Sequence, residues 1–247
     1  MDRVYPFPKS ARHFHCFTQD SSIKQHPAYP KGKAGDADSA FQLIDDLAFD
    51  FLLNLQGQFP PGCLYVAPYA QEATGDNALP LMLSLTCAEI LEGTSEDDIV
   101  QQERVFHTGA DPMERMIARP SFEGQVQPGQ NYVLVDDVTN MGGTLAELAN
   151  YIQISGGNVL GTIVLVNAGR SKEFLAPKKQ LRLLEDRYSD SIQKLFGIHT
   201  SAFTANEASY LVGFRTLNEI RNRCTKAEKE TINRLLSKGH QRSSGSA

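Results

Sequence analysis

The chain has 247 residues, 41% of them apolar, and its four cysteines, Cys16, Cys63, Cys87 and Cys224, show no Cys-x-x-Cys pairing. This leaves room for a sizeable core and excludes a disulfide or zinc scaffold. The net charge of -5 hides an asymmetry, since residues 1–170 carry 10 basic and 21 acidic side chains whereas residues 171–247 carry 14 and 8.

Met1 to Pro8 has no apolar signal core and no run approaches membrane-span length, so a cytoplasmic protein without membrane contact is expected. Residues 1–35 are rich in Pro, His, Lys and Gly without periodicity and predict an irregular N-terminal arm. His13-Phe14-His15-Cys16 has metal-ligand residue types but no second cluster to complete a site, so a structural role is expected. Lys31 and Lys33 could reach a phosphate, although lysines at a helix entrance are usually only solvated. From Asp36 or Asp38 as N-cap, a wide apolar face through Phe41, Leu43, Ile44, Leu47, Ala48, Phe51, Leu52 and Leu55 predicts a packed helix ending near Gly57.

Cys63 to Ala67 reads as the first buried strand, and Pro68 to Asn77 as a loop. A helix from Ala78 to Glu92 follows, with Pro80 in its first turn and Gly93 as its stop. Ile99 to Phe106 reads as the next strand, and His107 to Glu123 as a polar connection without clear periodicity.

After the turn Gln127 to Gln130 comes the most informative stretch, Val133-Leu134-Val135-Asp136-Asp137-Val138-Thr139-Asn140-Met141-Gly142-Gly143-Thr144-Leu145. A β-branched run ends in two carboxylates, and a glycine pair opens a helical pattern at Leu145, Leu148, Ala149 and Ile152. Strand, loop and helix in that order place the loop where α/β sheets bind ligands. Free N–H groups at a helix start suit an anion, and adjacent carboxylates can accept the protons of a vicinal diol. A ribose 5-phosphate satisfies both. A P-loop would need Lys where Thr144 stands. A receiver domain would need a later Asp closing an apolar strand, and Asp186 sits in a polar helical pattern instead. A plain turn would leave two adjacent acids near an apolar strand without a partner, at a cost.

Val159 to Val166 supplies another buried strand. Beyond Gly169 the pattern turns helical, and Thr204-x-x-Glu207 and Thr225-x-x-Glu228 read as capping boxes that start helices. The basic charges here alternate with acids at helical spacing, so a solvated face is expected and nucleic acid is not an expected partner.

From Leu64 to Asn167 the pattern resembles the type I phosphoribosyltransferases, whose signature for phosphoribosyl pyrophosphate (PRPP) is a strand, two acids and a Thr/Gly-rich loop. The His107-Thr108-Gly109 and Phe122-Glu123-Gly124 segments also resemble uncharacterised bacterial phosphoribosyltransferase-like proteins. The resemblance implies a doubly wound, mainly parallel α/β sheet flanked by helices over residues 36–170, a helical C-terminal extension over 171–238 and a disordered tail over 239–247.

It further implies that Asp136 and Asp137 hold the ribose hydroxyls, while Thr139, Asn140, Met141, Gly142, Gly143 and Thr144 surround the 5-phosphate. Met141 stands where many members have Thr, and Asn140 where some purine-using members have an Asp. The first loop of the family holds pyrophosphate, commonly with Arg or Lys, yet no Lys or Arg occurs from Ala34 to Glu103. Thr74, backbone N–H groups, a cation or a basic group from elsewhere must serve. Arg104 and Arg115 are the expected source of positive charge, followed by Arg119 and His107.

An acidic half that binds a polyanion implies Mg2+, held largely by the ligand's own phosphates. The expected function is transfer of phosphoribosyl from PRPP to a nitrogen nucleophile such as a nucleobase, with a homodimer among the assemblies allowed. In the family a hood near the termini selects the base, which makes the arm and the helical tail its candidates. The alternative is a regulatory protein that senses PRPP or a nucleotide without turnover.

Overall fold

Two apolar runs, Tyr132–Val135 and Ile163–Val166, are buried on both sides and form the centre of a parallel sheet. The computed structural model describes residues 1–70, 77–102 and 110–237. In chain order, β1 (Arg12–Phe17) leads to α1 (Ser21–Lys24), α2 (Tyr29–Lys33) and α3 (Ala37–Leu53). Next come β2 (Leu64–Val66), β3 (Tyr69–Ala70), α4 (Ala78–Ile90), β4 (Thr94–Glu96) and β5 (Val100–Gln101). Then follow α5 (Pro112–Ile117), β6 (Phe122–Glu123), β7 (Asn131–Thr139), α6 (Gly143–Ile154) and β8 (Asn158–Asn167). Four helices close the described chain, α7 (Lys178–Tyr188), α8 (Asp190–Phe196), α9 (Ala205–Val212) and α10 (Leu217–Ser237).

Five strands in the order β1-β8-β7-β2-β4 make an all-parallel sheet, and β3, β5 and β6 form a small second sheet. Strand alternation sends Tyr65, Val133, Val135, Ile163 and Leu165 to a face covered by α3 and α4. It sends Leu64, Val66, Tyr132, Leu134 and Val164 to a face covered by α6. Helices therefore lie on both faces, as in a doubly wound α/β protein. On α6 the predicted stripe of Leu145, Leu148, Ala149 and Ile152 is fully buried. A third core joins α5 to the C-terminal helices through Met113, Met116, Leu184, Ile192, Phe203, Leu211 and Ile220.

Several expectations need correction. The N-terminal arm is not irregular throughout, because Arg12–Phe17 adds an edge strand to β8. Its alternation of histidines and partly buried side chains carries little strand signal. Gly161 admits it, since a Cβ there would lie 2.0 Å from the carbonyl oxygen of Arg12. Cys63–Ala67 thus contains the second strand, not the first. The strand expected over Ile99–Phe106 reduces among described residues to Val100–Gln101, and residues 103–109 lie outside them.

The polar connection after it contains α5, started by a capping box in which Asp111 accepts from the Met113 and Glu114 amides. Thr225 does not start a helix; α10 runs through it, and its hydroxyl donates to the Arg221 carbonyl. The start lies at Leu217, where Thr216 accepts from the Glu219 amide and Glu219 from the Arg215 amide. On α3, Phe41 is 49% exposed, so the packed face is narrower than the apolar pattern. The tail expected over 239–247 falls outside the described residues.

Candidate functional site

The strand β7 ends in the two acids, and the period-2 alternation separates them. Asp137 falls on the face of Val133 and Val135, where α2 and the start of α4 meet it. Lys33 Nζ donates to Asp137 Oδ2 at 2.7 Å, Asn77 Nδ2 donates to the same oxygen at 3.0 Å, and the Val138 amide donates to Oδ1 at 2.9 Å. Asp136 accepts from the Asp137 amide at 2.9 Å. Both side chains are buried.

Their ionisation diverges. Burial and the adjacent Asp137 charge hold Asp136 well above the usual carboxylate range. Burial also opposes the charge on Asp137, but the Lys33 ammonium and the amide donors outweigh it and hold this carboxyl below its ordinary value. Burial disfavours the Lys33 ammonium too, and Asp137 reverses that, leaving Lys33 above its ordinary value. One carboxyl shifted up and the other held down beside an ammonium lowers the cost of keeping two neighbouring acids together. The acids therefore do not lack partners, as a plain turn was expected to leave them.

The loop after the acids is fixed from one side. Asn206 Nδ2 donates to the Asn140 carbonyl at 3.2 Å and Thr204 Oγ1 to the Met141 carbonyl at 2.6 Å. The Gly142 carbonyl accepts the Ala146 amide, and Arg3 Nη1 reaches the Gly143 carbonyl at 3.4 Å. In a trans peptide the carbonyl and the following N–H point in opposite directions. The amides of Met141 and Gly142 are therefore turned away from Asn206 and Thr204, and those of Gly143 and Thr144 from Ala146 and Arg3. None of the four donates to another described residue. Consecutive free amides at a helix start form a concavity suited to an anion. Gly142 makes the turn with φ of 77°, and a Cβ there would also lie 2.8 Å from the Phe174 ring. A narrow recess lies between the loop, Asn167, Ser171, Glu173, Phe174 and Asn206.

Of the other predicted residues, Thr74, Arg104 and His107 lie outside the described residues. Arg115 lies on α5, where its Nε donates to the Ala110 carbonyl at 3.0 Å. Arg119 is committed to Glu147 at 2.7 Å. Lys33 serves the acidic pair rather than a free phosphate position. The residues that sequence reasoning missed are Asn77, Thr204 as a loop ligand, Asn206 and Arg3. Thr204 had been visible only as a helix cap.

For Mg2+, three of the four oxygens of the acidic pair already accept from amides or the ammonium. Such a set cannot build a protein-held octahedral site, but it can face an ion that keeps the oxygens of a ligand and water. Two groups of acids among the described residues are close enough to share an ion, Glu96 with Asp97 and Asp98, and Asp111 with Glu114 and Glu230. Neither includes Asp136 or Asp137, and Arg223 already bridges Asp111 and Glu230.

No protein-family model matches the chain. Over 237 residues it is 33% identical to Protein TraN of Escherichia coli, a match covering 93% of this chain and 52% of that protein. Over 57 residues it is 39% identical to the hypoxanthine/guanine phosphoribosyltransferase of Methanobrevibacter ruminantium, covering 23% of this chain and 30% of that enzyme. The chain thus spans about half or less of the length of these curated relatives. A crystal structure of adenine phosphoribosyltransferase from Rhodothermus marinus overlaps 60% of this chain and 73% of its own at 15% identity, with a TM-score of 0.36. A score that low does not establish a common fold. Among the described residues, no helix is long and apolar enough to cross a membrane.

Proposed function

We propose that the chain binds PRPP, or a nucleotide containing ribose 5-phosphate, across the end of β7 and acts as a phosphoribosyltransferase. The observation that carries this reading is the conjunction of a buried acidic pair with four unpaired amides a few residues later on one strand–loop–helix unit. Asp136 and Asp137 accept the ribose hydroxyls, and the amides of Met141 to Thr144, with the Thr139 and Thr144 hydroxyls, receive the 5-phosphate. Lys33 and Asn77 hold Asp137 in place and ionised. The sugar bond to pyrophosphate then opens with oxocarbenium character, and a nitrogen nucleophile of the nucleobase class closes on the other face. No covalent enzyme intermediate is needed, so positioning and fixed dipoles carry the rate. Mg2+ bound to the pyrophosphate oxygens would supply charge neutralisation as that group departs, and Arg104 and Arg115 are the residues we assign to assist it.

The test is incubation with PRPP, Mg2+ and a panel of bases, following pyrophosphate. Base-dependent release is expected. Replacing both Asp136 and Asp137 by Asn removes the acceptor charge of the pair and should weaken PRPP binding by about a hundredfold or more. Undiminished binding by that variant would remove the ribose assignment.

One observation favours a second reading, a PRPP- or nucleotide-sensing protein without turnover. Arg119 is held by Glu147, and no Lys or Arg occurs from Ala34 to Glu103, so few basic groups remain for a leaving pyrophosphate. Saturable PRPP binding with no pyrophosphate release across the panel would decide for it.

A further inference from the structure

We infer that Thr204 and Asn206, at the start of α9, are positioning residues of the phosphate loop, so that the C-terminal helical segment is a working part of the ligand site. The inference rests on the ribose-phosphate reading above and adds which residues outside the loop set its geometry. A loop with consecutive unpaired amides is not self-sustaining, because each peptide plane can rotate to satisfy its N–H elsewhere. What prevents rotation is a donor fastened to the carbonyl at the other end of the same plane. Thr204 and Asn206 supply those donors to two successive planes, at Met141 and Asn140.

In each residue the donor is committed by the residue's remaining bonds. The Thr204 hydroxyl accepts the Glu207 amide at 3.1 Å, which leaves its single proton for the Met141 carbonyl. The Asn206 amide is oriented by Ser171, whose N–H donates to Oδ1 at 2.8 Å and whose carbonyl accepts from Nδ2 at 3.0 Å. The second Nδ2 proton is then free for the Asn140 carbonyl, and the amide cannot be flipped without losing these bonds. Phe174 adds a wall against Gly142, and its carbonyl accepts the Ala205 amide, so the same short segment of α9 holds both the wall and the loop. Pre-arranged donors bind an anion more tightly because their ordering is complete before the ligand arrives.

Ribose 5-phosphate is the probe, with affinity measured by calorimetry and the ionisation of the bound phosphate followed by 31P NMR. Thr204→Val and Asn206→Leu should each weaken binding by about three- to tenfold, the value of one hydrogen bond. They should also bring the pKa of the bound phosphate back toward that of the free ester, near 6. Thr204→Ser keeps the donor and should bind within about twofold of the unaltered protein. A merely structural role would lower the folded fraction without moving the phosphate pKa. If removing the helix cap unfolds the Val variant, the Leu variant decides alone. Unaltered affinity and phosphate pKa in folded variants would overturn this inference and leave the proposed function standing. Failure of the unaltered protein to bind ribose 5-phosphate would overturn both.

Discussion

Asp136 is pushed toward its protonated form because the strand holds it against a second carboxylate out of water, and Lys33 pairs with Asp137 alone of the two. A carboxyl whose pKa is raised in the folded state binds more protons there than in the unfolded chain. Its contribution to stability is therefore complete below the unfolded value and is lost as pH rises toward the folded one. Asn at this position mimics the protonated acid and has no such loss. Asp136→Asn should raise the thermal midpoint at pH 8 by about 2–4 °C, the response to 1 kcal/mol in a chain of this size. At pH 4 the two proteins should melt together. A variant that melts lower at pH 8 would mean that the acid is ionised and well solvated, contrary to the burial seen. The same change should weaken PRPP binding, so stability and binding move in opposite directions at this residue.

At the scale of elements, α6 begins where it does because Gly142 turns the chain through a left-handed conformation that other residues enter only at a cost. Gly142→Ala should cost about 1–3 kcal/mol from the backbone alone, and displacement of Phe174 adds to it. A fall in thermal midpoint of at least about 2–4 °C is expected by scanning calorimetry. No fall would show that the turn relaxes into another form. Elements with a strong local signal were legible from sequence. Asp36 caps α3 as expected, Leu145 to Ile152 line the buried face of α6, and the Thr204 box starts α9. Others were masked by stronger neighbours. Thr216 and Glu219 have the same spacing as Thr225 and Glu228, and what selects the first pair is the burial of Ile220, Cys224 and Ala227 in the core shared with α5. The strand β1 has no clear signal of its own and exists because β8 offers it an edge.

At the scale of the molecule, the N-terminus is stitched into the opposite end of the chain. The backbone of Arg3 exchanges hydrogen bonds with Gly197 and His199, and its fully buried guanidinium meets Glu207 and lies 3.6 Å from Glu147. Arg119 reaches the same Glu147, so four charges from the N-terminus, α6, the segment after α5 and α9 form one network behind the loop that joins β7 to α6. Removing one partner of such a network leaves the others uncompensated. Arg3→Met should cost about 3–5 kcal/mol, well above a surface ion pair at about 1 kcal/mol or less. Denaturant unfolding measures this directly, and a loss under 1 kcal/mol would show that the network is solvated.

The sequence alone determined the parallel α/β core, the position of the acidic pair at a strand end and the glycine turn after it. Each of these is written in residues adjacent along the chain, through periodicity and backbone preference. Tertiary structure alone decided that Lys33 neutralises Asp137 while Asn77 donates to it, that Thr204 and Asn206 hold the loop carbonyls, and that Arg3 closes the network behind them. Those contacts join residues separated by 60 to 204 positions. No local pattern encodes them, because the partner that makes each charge or donor affordable arrives only when the sheet and helices have packed.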